Sequence, residues 1–369
     1  MSHYSPYKSE SKPYSSGSPV EFTNFVQPKG PNGGRTVITR FVVCVTGTIT
    51  VATGTWDGRD VPRIMSRITV EKKDSRQRWG LSGARSRIAS IHFGGIDRHI
   101  EHGTVAIGAS QAIDLRLTIP MAKRYSRKPD AYALPADLLG KVVIDWDTLA
   151  NAASGTAVLS AQALNCYILA HWYEERAEHG FRFHCDDFVK SLDFTSQTEA
   201  KLFPSGPVQD LLIHKTGTTA GGGESLAAIT DARIEDLGIP ILTAADLKQD
   251  YRFKRQLGAS GPTTPATERF LDPVIEGKVI PVIVSDEDTK QMDGKLLESF
   301  KLTVGTGVAS STVIYRELPP HSEADFAAQL ADSGLKPSDL EIETANGNTV
   351  PAAVFGAAVA KRMPLRARR

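Results

Sequence analysis

The residues best suited to chemistry lie between His171 and Asp187. His171, His179, His184, Cys185, Asp186 and Asp187 are all metal-ligand types within one short stretch. A zinc centre takes about four ligands, arranged in pairs such as Cys-x-x-Cys or His-x-x-x-His. No such pair is completed here, and His171 falls in a strand-like run where it would alternate with core residues. Thr216 to Ser225 has the glycine content of a phosphate cradle, but a P-loop needs Lys and then Ser or Thr after its glycines. After Gly222 those places hold Gly223 and Glu224, so the stretch reads as a surface loop. The carboxylate pairs Glu174-Glu175 and Asp186-Asp187 are adjacent, and adjacent strand residues point to opposite faces, which makes poor acid/base partners. No Gly-x-Ser-x-Gly elbow occurs, and spacing nominates no Ser/His/Asp set. The sequence thus predicts no catalytic residue, no metal ligand and no cofactor.

One basic cluster remains: Lys361, Arg362, Arg366, Arg368 and Arg369. Such a cluster either contacts phosphate groups of nucleic acid or lipid, or is a solvated tail. Net charge over all 369 residues is +1, so nothing marks the whole chain as a polyanion binder.

The elements that position these residues are mostly strands. Leu138 to Glu174 contains a β-branched run led by Gly140, a polar bend, and a longer run closing on Trp172 and Tyr173. Gly277 to Val284, then Ser299 to Val304 and Ser311 to Arg316, repeat that order, so the pattern predicts one β domain used twice. Arg35 to Thr53 is rich in Val, Ile, Thr and Phe and predicts a long strand, with a bulge or kink at Gly47. Trp56 to Arg59 predicts a turn and Ile64 to Lys72 a strand. Leu81, Ile88 and Ile91 are near helical spacing, which predicts a short helix within Arg78–Gly95. Ile113, Leu115, Leu117 and Ile119 alternate with polar residues, as a half-buried strand requires. Further strands are expected at Val208–Lys215, Ala228–Glu235 and Leu340–Thr344, and helices at Thr243–Phe253 and Pro319–Ala331, the latter capped by Ser322. No strand–helix–strand rhythm recurs, which points to sandwiches or barrels rather than a parallel sheet.

Apolar residues make up 41 % of the chain, enough for about two cores at ordinary domain size. Cys44, Cys166 and Cys185 are too few and scattered for a disulfide framework, and the first two read as small buried hydrophobes. No run reaches membrane-span length, and residues 1–34 lack the apolar core of a secretory signal, so folding in a cytoplasm is expected. Residues 1–34 are polar and rich in Pro, Ser and Gly, and such a segment orders only against a partner surface. Tyr4, Tyr7, Tyr14, Phe22 and Phe25 are its candidate anchors, expected to contact a neighbouring subunit.

Two strand-rich halves, an aromatic-anchored arm and no catalytic constellation together resemble the double jelly-roll major capsid proteins of tailless icosahedral bacteriophages and adenovirus-like viruses. The local likeness lies in Gly47 to Gly58, Leu81 to Arg85, Thr118 to Leu139 and Asp231 to Leu242, within a layout covering about residues 35–335. The resemblance implies an all-β fold of two tandem eight-stranded jelly-roll β-sandwiches with short helices. It implies an arm at 1–34, a first roll at 35–198, a second at 199–335 and a C-terminal extension at 336–369. It also implies a homotrimer forming a pseudo-hexagonal capsomer, set in a virion shell made in the host cytoplasm. Neighbouring trimers and minor capsid, vertex or membrane proteins are the implied partners. The basic tail would face lipid or genome, and the loops at Lys123–Asp130 and Leu257–Thr267 would form intersubunit contacts or towers. A two-sandwich carbohydrate-active enzyme or glycan-binding protein, or a phage receptor-binding or tail protein, is the competing reading.

Overall fold

The computed structural model describes residues 4–90, 104–105, 109–122, 133–152, 157–175, 188–195, 199–202, 208–216, 231–236, 239–242, 279–283, 299–303, 310–317, 340–343, 349–351 and 365–367. The helices expected at Thr243–Phe253 and Pro319–Ala331, the glycine loop after Thr216, and the loops at Lys123–Asp130 and Leu257–Thr267 lie outside them.

The chain opens with three short strands, β1 (Tyr7–Lys8), β2 (Lys12–Pro13) and β3 (Pro19–Thr23). The β-branched run then forms β4 (Arg35–Thr53), nineteen residues long. A two-residue strand, β5 (Trp56–Asp57), leads through a 3₁₀ turn (Gly58–Ile64) to β6 (Met65–Lys72). Next come β7 (Gln77–Leu81), helix α1 (Gly83–Ala89), β8 (Thr104–Val105) and β9 (Ser110–Pro120). The short β10 (Leu134–Pro135) precedes β11 (Leu139–Trp146), helix α2 (Leu149–Ala152) and β12 (Val158–Glu175).

These elements form a two-layer sandwich. One layer is β12, β4 and β9 with the short β1, β2 and β10; the other is β3, β11, β6 and β7. Phe41, Val43 and Ile168 from the first layer and Ile68, Val70, Val142 and Ile144 from the second belong to one buried core cluster. The alternation expected in β9 holds: Ile113, Leu115, Leu117 and Ile119 are buried, and Asp114, Arg116 and Thr118 are not. Gly47 is a close approach and not a bulge. Its φ is +140°, and a Cβ there would sit 1.8 Å from the Ala163 carbonyl oxygen, while the ladder with β12 runs through it unshifted. The ladder shifts register around Leu159 and at Thr39, which is skipped where Arg40 pairs with His171 and Ile38 with Trp172. Its carbonyl accepts from the Met121 and Ala122 N–H groups. The short helix expected within Arg78–Gly95 is α1, Gly83–Ala89, and residues 91–95 lie outside the described residues. Arg78 to Leu81 is strand, paired to β6, because Trp79 and Leu81 fall on a period of two. Ser82 then caps α1, its hydroxyl accepting from the Arg85 N–H.

The later strands are β13 (Phe188–Thr195), β14 (Glu199–Leu202), β15 (Val208–Thr216), β16 (Asp231–Asp236), β17 (Ile239–Leu242), β18 (Val279–Ile283), β19 (Ser299–Thr303) and β20 (Ser310–Glu317). They fall into two groups of four. The order β18-β15-β20-β13 continues the β7-β6-β11-β3 layer, and β14-β19-β16-β17 forms a separate sheet. A single parallel residue pair, Val189 with Trp79, joins β13 to β7, whereas β13 pairs with β20 along its whole length. The Arg85 side chain adds a hydrogen bond to the Ser191 hydroxyl across this seam. A last sheet, β22-β21-β23, is built from β21 (Leu340–Glu343), β22 (Thr349–Pro351) and β23 (Leu365–Ala367).

Candidate assembly site: the arm and the edges it closes

The arm expected to order on a neighbour is ordered on its own chain. β1 pairs with β12 through Tyr7 to Ala170 and Lys8 to Leu169, and β2 pairs with it through Lys12 to Cys166 and Pro13 to Asn165. Between them Ser9 acts as a surrogate peptide: its N–H donates to the Ile168 carbonyl and its hydroxyl accepts from the Ile168 N–H, both at 2.9 Å. β3 crosses to the other layer and pairs with β11 over five residues. The arm therefore lines the edges of both layers. An unpaired edge strand is a template for association, and β12 is eighteen residues long.

The five predicted anchors have distinct places. Phe22 and Tyr14 are buried in the chain's own core, and the Tyr14 hydroxyl donates to the Asp147 carbonyl with its ring 5.1 Å from that of Trp146. Phe25 packs against Phe41 at 6.2 Å. Tyr4 and Tyr7 both stack on Trp172, at 4.4 and 5.0 Å, and the Trp172 indole N–H donates to the Ser5 carbonyl. Each ring buries apolar area worth roughly 1.5–3 kcal/mol when fully enclosed, which is how a polar segment offsets its ordering entropy. The apolar partners are on strands far along the chain, beyond the reach of a local reading.

A glycine loop closes the arm's end onto one carboxylate. Lys29 and Arg35 form an isolated bridge, and between them the Gly30 N–H donates to Gly34 O and the Gly33 N–H to Gly30 O. This fold aims the Asn32 N–H (2.9 Å) and the Gly34 N–H (2.7 Å) at the same Glu174 oxygen. The Asn32 amide (2.7 Å) and the Tyr4 hydroxyl (3.2 Å) donate to the other. Any side chain at Gly30 or Gly34 would collide with Glu174, at 2.7 and 2.8 Å. Burial pushes the Glu174 pKa up, but the bonds from the Asn32 amide, the Gly34 N–H, the Tyr4 hydroxyl and the Asn32 N–H outweigh it and hold the carboxyl below its ordinary value. Glu174, noticed in sequence only as half of an adjacent carboxylate pair, is thus the hub of the arm. The one local signal was the Gly30-Pro31-Asn32-Gly33-Gly34 turn cluster opposite nothing in sequence.

Lys12 bridges the two layers at the arm. Its ammonium donates to the Glu21 carbonyl on the free edge of β3, pairs with Glu10, both at 2.8 Å, and lies 5.5 Å from the centre of the Phe22 ring. The Lys141 ammonium pairs with the Glu21 carboxylate at 2.8 Å, and the Arg35 guanidinium forms a two-pronged bond to Asp137.

His171 is half-buried on β12; burial and the Arg40 charge lower its pKa. Cys44 and Cys166 are buried free thiols whose pKa values burial raises, that of Cys166 to about 12, so neither is a ready nucleophile. Cys44 pairs with Tyr167 and Cys166 with Val45, which sets the two thiols on opposite faces of the sheet. Among the described residues no group of three or more His, Cys, Asp or Glu could hold a metal ion; His179, His184, Cys185, Asp186 and Asp187 lie outside them. Of the basic tail, only Arg366 is described, on β23 opposite Glu341 of β21; Lys361, Arg362, Arg368 and Arg369 lie outside the described residues.

No protein-family model matches the chain, and no curated protein is similar to it in sequence. Solved structures are similar in fold. The STIV MCP, a viral major capsid protein, superposes with a TM-score of 0.58 at 13 % identity, over 85 % of this chain and 97 % of its own. A chain in the atomic structure of Sulfolobus Turreted Icosahedral Virus gives 0.55 at 12 % identity, over 89 % and 97 %. The Faustovirus major capsid protein aligns at 0.46 and 9 % identity, over 87 % and 92 %. At these identities the likeness is one of fold, and it extends along almost the full length of the STIV MCP. The chain has the all-β, double jelly-roll fold of viral major capsid proteins.

Proposed function

We propose that this chain is the major capsid protein of an icosahedral virus, a structural subunit and not an enzyme. The observation that carries the reading is the length of the fold match: 85 % of this chain against 97 % of the STIV MCP, both halves included. A jelly roll offers two packed antiparallel layers with rigid lateral faces, and two in tandem give three copies six such bodies, the makings of a pseudo-hexagonal tile. On this reading the working unit is a homotrimer burying well over ~2,000 Å², the range of obligate interfaces. The division between rolls is drawn before β13, since its long ladder is with β20, rather than at residue 198. Neighbouring trimers and minor capsid, vertex or membrane proteins are its partners in the virion shell, after synthesis in the cytoplasm of the host, a bacterium in this reading.

The basic tail of Lys361, Arg362, Arg366, Arg368 and Arg369 faces the shell interior in this proposal, towards lipid head groups or genome. Near a densely anionic surface each cation contributes about 1 kcal/mol. Replacing all five with Ser should leave trimers intact and impair closed, filled particles; unchanged particle yield and contents would remove the interior role. The assembly itself is tested by expressing the chain and measuring mass by light scattering and shape by electron microscopy. Trimers or tiled arrays support the proposal, and a monodisperse monomer under every condition rejects it.

A further inference from the structure

The arm is held by contacts that any copy of the chain can supply. β1, β2 and β3 lie on the outer edges of their layers, with no body strand beyond them, so the arm leaves without opening a ladder of the body. Its pairings are short: two residues for β1, two for β2 and five for β3. The connection to β4 is residues 24–34, which contain two prolines, a positive-φ Asn24 (+53°) and Gly33 (+81°), and the Glu174-bound loop. We propose that the arm is exchanged between neighbouring copies in an assembly: residues 4–23 of one copy close the β12 and β11 edges of the next, with residues 24–29 as the hinge and the Glu174-bound loop holding the hinge's end on its own chain. This inference rests on the reading that copies of the chain assemble.

The energetics decide where exchange occurs. Own-arm and exchanged-arm forms make the same ladders, the same Trp172 stack and the same Phe22 burial, so contact energy cancels between them. What remains is concentration. A short tether holds the arm near its own edges at an effective millimolar concentration. At micromolar protein the chain's own arm wins by about a thousandfold. Within an assembly the neighbour's edges are also present at millimolar local concentration, and the two forms become comparable. With the Glu174-bound loop kept folded, extended residues 24–29 span about 20 Å, enough to reach an abutting edge of a touching copy. The arm's aromatic rings then serve both purposes: they fill a core, and the core they fill is the neighbour's.

The register gives a direct test. Lys8 pairs with Leu169 across β1 and β12. Full-length Lys8→Cys and full-length Leu169→Cys chains, both carrying Cys185→Ser, are co-expressed, separated into assembled and monomeric fractions, and treated with a short bis-maleimide; the native Cys44 and Cys166 are buried. A cross-linked heterodimer can form at this pair only if the arm of one chain lies on β12 of another. The expected result is heterodimer in the assembled fraction and at least tenfold less in the monomeric fraction. Assembled chains that give no heterodimer, while a Lys8→Cys/Leu169→Cys double variant links within one chain, would overturn exchange and leave the assembly reading standing. Absence of any assembled fraction would remove the assembly reading and the inference together.

Discussion

Replacing Glu174 by Gln tests the arm's attachment with the smallest change of shape. The carboxylate accepts four hydrogen bonds, from the Asn32 N–H, the Gly34 N–H, the Asn32 amide and the Tyr4 hydroxyl. A bond to a charged acceptor contributes about 1.5–3 kcal/mol and one to a neutral acceptor about 0.5–1.5 kcal/mol. Gln keeps a neutral oxygen for the two backbone donors and sets an NH₂ against the Asn32 amide, itself a donor. Two weakened bonds and one lost bond amount to about 2–4 kcal/mol of loop attachment. Even the lower value is a roughly thirtyfold rise in the open population. Amide hydrogen exchange reads this directly: protection at Asn32 and Gly34, corrected for intrinsic rates, should fall at least tenfold while β4 and β11 keep theirs. The pH dependence has a definite sign. Because the folded pKa is held below the ordinary value, the carboxylate's stabilisation is fully present above the ordinary glutamate pKa of about 4.3 and is lost as pH falls through the lowered folded value. Wild-type protection should therefore decline in acid, and the variant's should not follow the same curve. Protection within twofold of wild type at pH 7, or an unaltered acid response in the variant, would refute the clamp.

Phe22→Ala should destabilise the first sandwich by about 3–5 kcal/mol, seen as a lowered denaturant midpoint, because a buried ring on β3 is lost from the core. Gly47→Val should prevent soluble folding or cost more than about 3 kcal/mol, since its Cβ has no room beside the Ala163 carbonyl and φ is +140°; a melting curve like wild type would refute the close approach. Lys12→Ala should change stability by less than about 1 kcal/mol, as an exposed ion pair does, yet speed self-association by freeing the outer edge of β3; turbidity on incubation separates the two effects.

The body strands were legible because their signals are local. β4 carries an unbroken β-branched run, and β9 alternates cleanly between Ile113 and Ile119. The short helix within Arg78–Gly95 was legible in the spacing of its apolar residues, whereas the strand at its start, β7, follows the Trp79/Leu81 alternation once β6 supplies a ladder. Gly47 was correctly marked as special, but only the β12 backbone beside it shows that close approach, not a bulge, is the reason. The arm was legible in composition and not in destination. Tyr4, Tyr7, Tyr14, Phe22 and Phe25 were identifiable as anchors, but their partners Trp172, Trp146 and Phe41 are set by tertiary pairing. The Glu174 clamp joins residues more than a hundred positions apart, which no window along the chain can connect.

The central claim, that this chain builds a viral shell, is tested most directly by the mass and form of the purified full-length protein. Light scattering behind size-exclusion chromatography should give three times the 39.9 kDa chain mass, with pseudo-hexagonal tiles or closed shells under the electron microscope. A monodisperse species at 39.9 kDa across micromolar concentrations and solution conditions, with neither tiles nor shells, would contradict it.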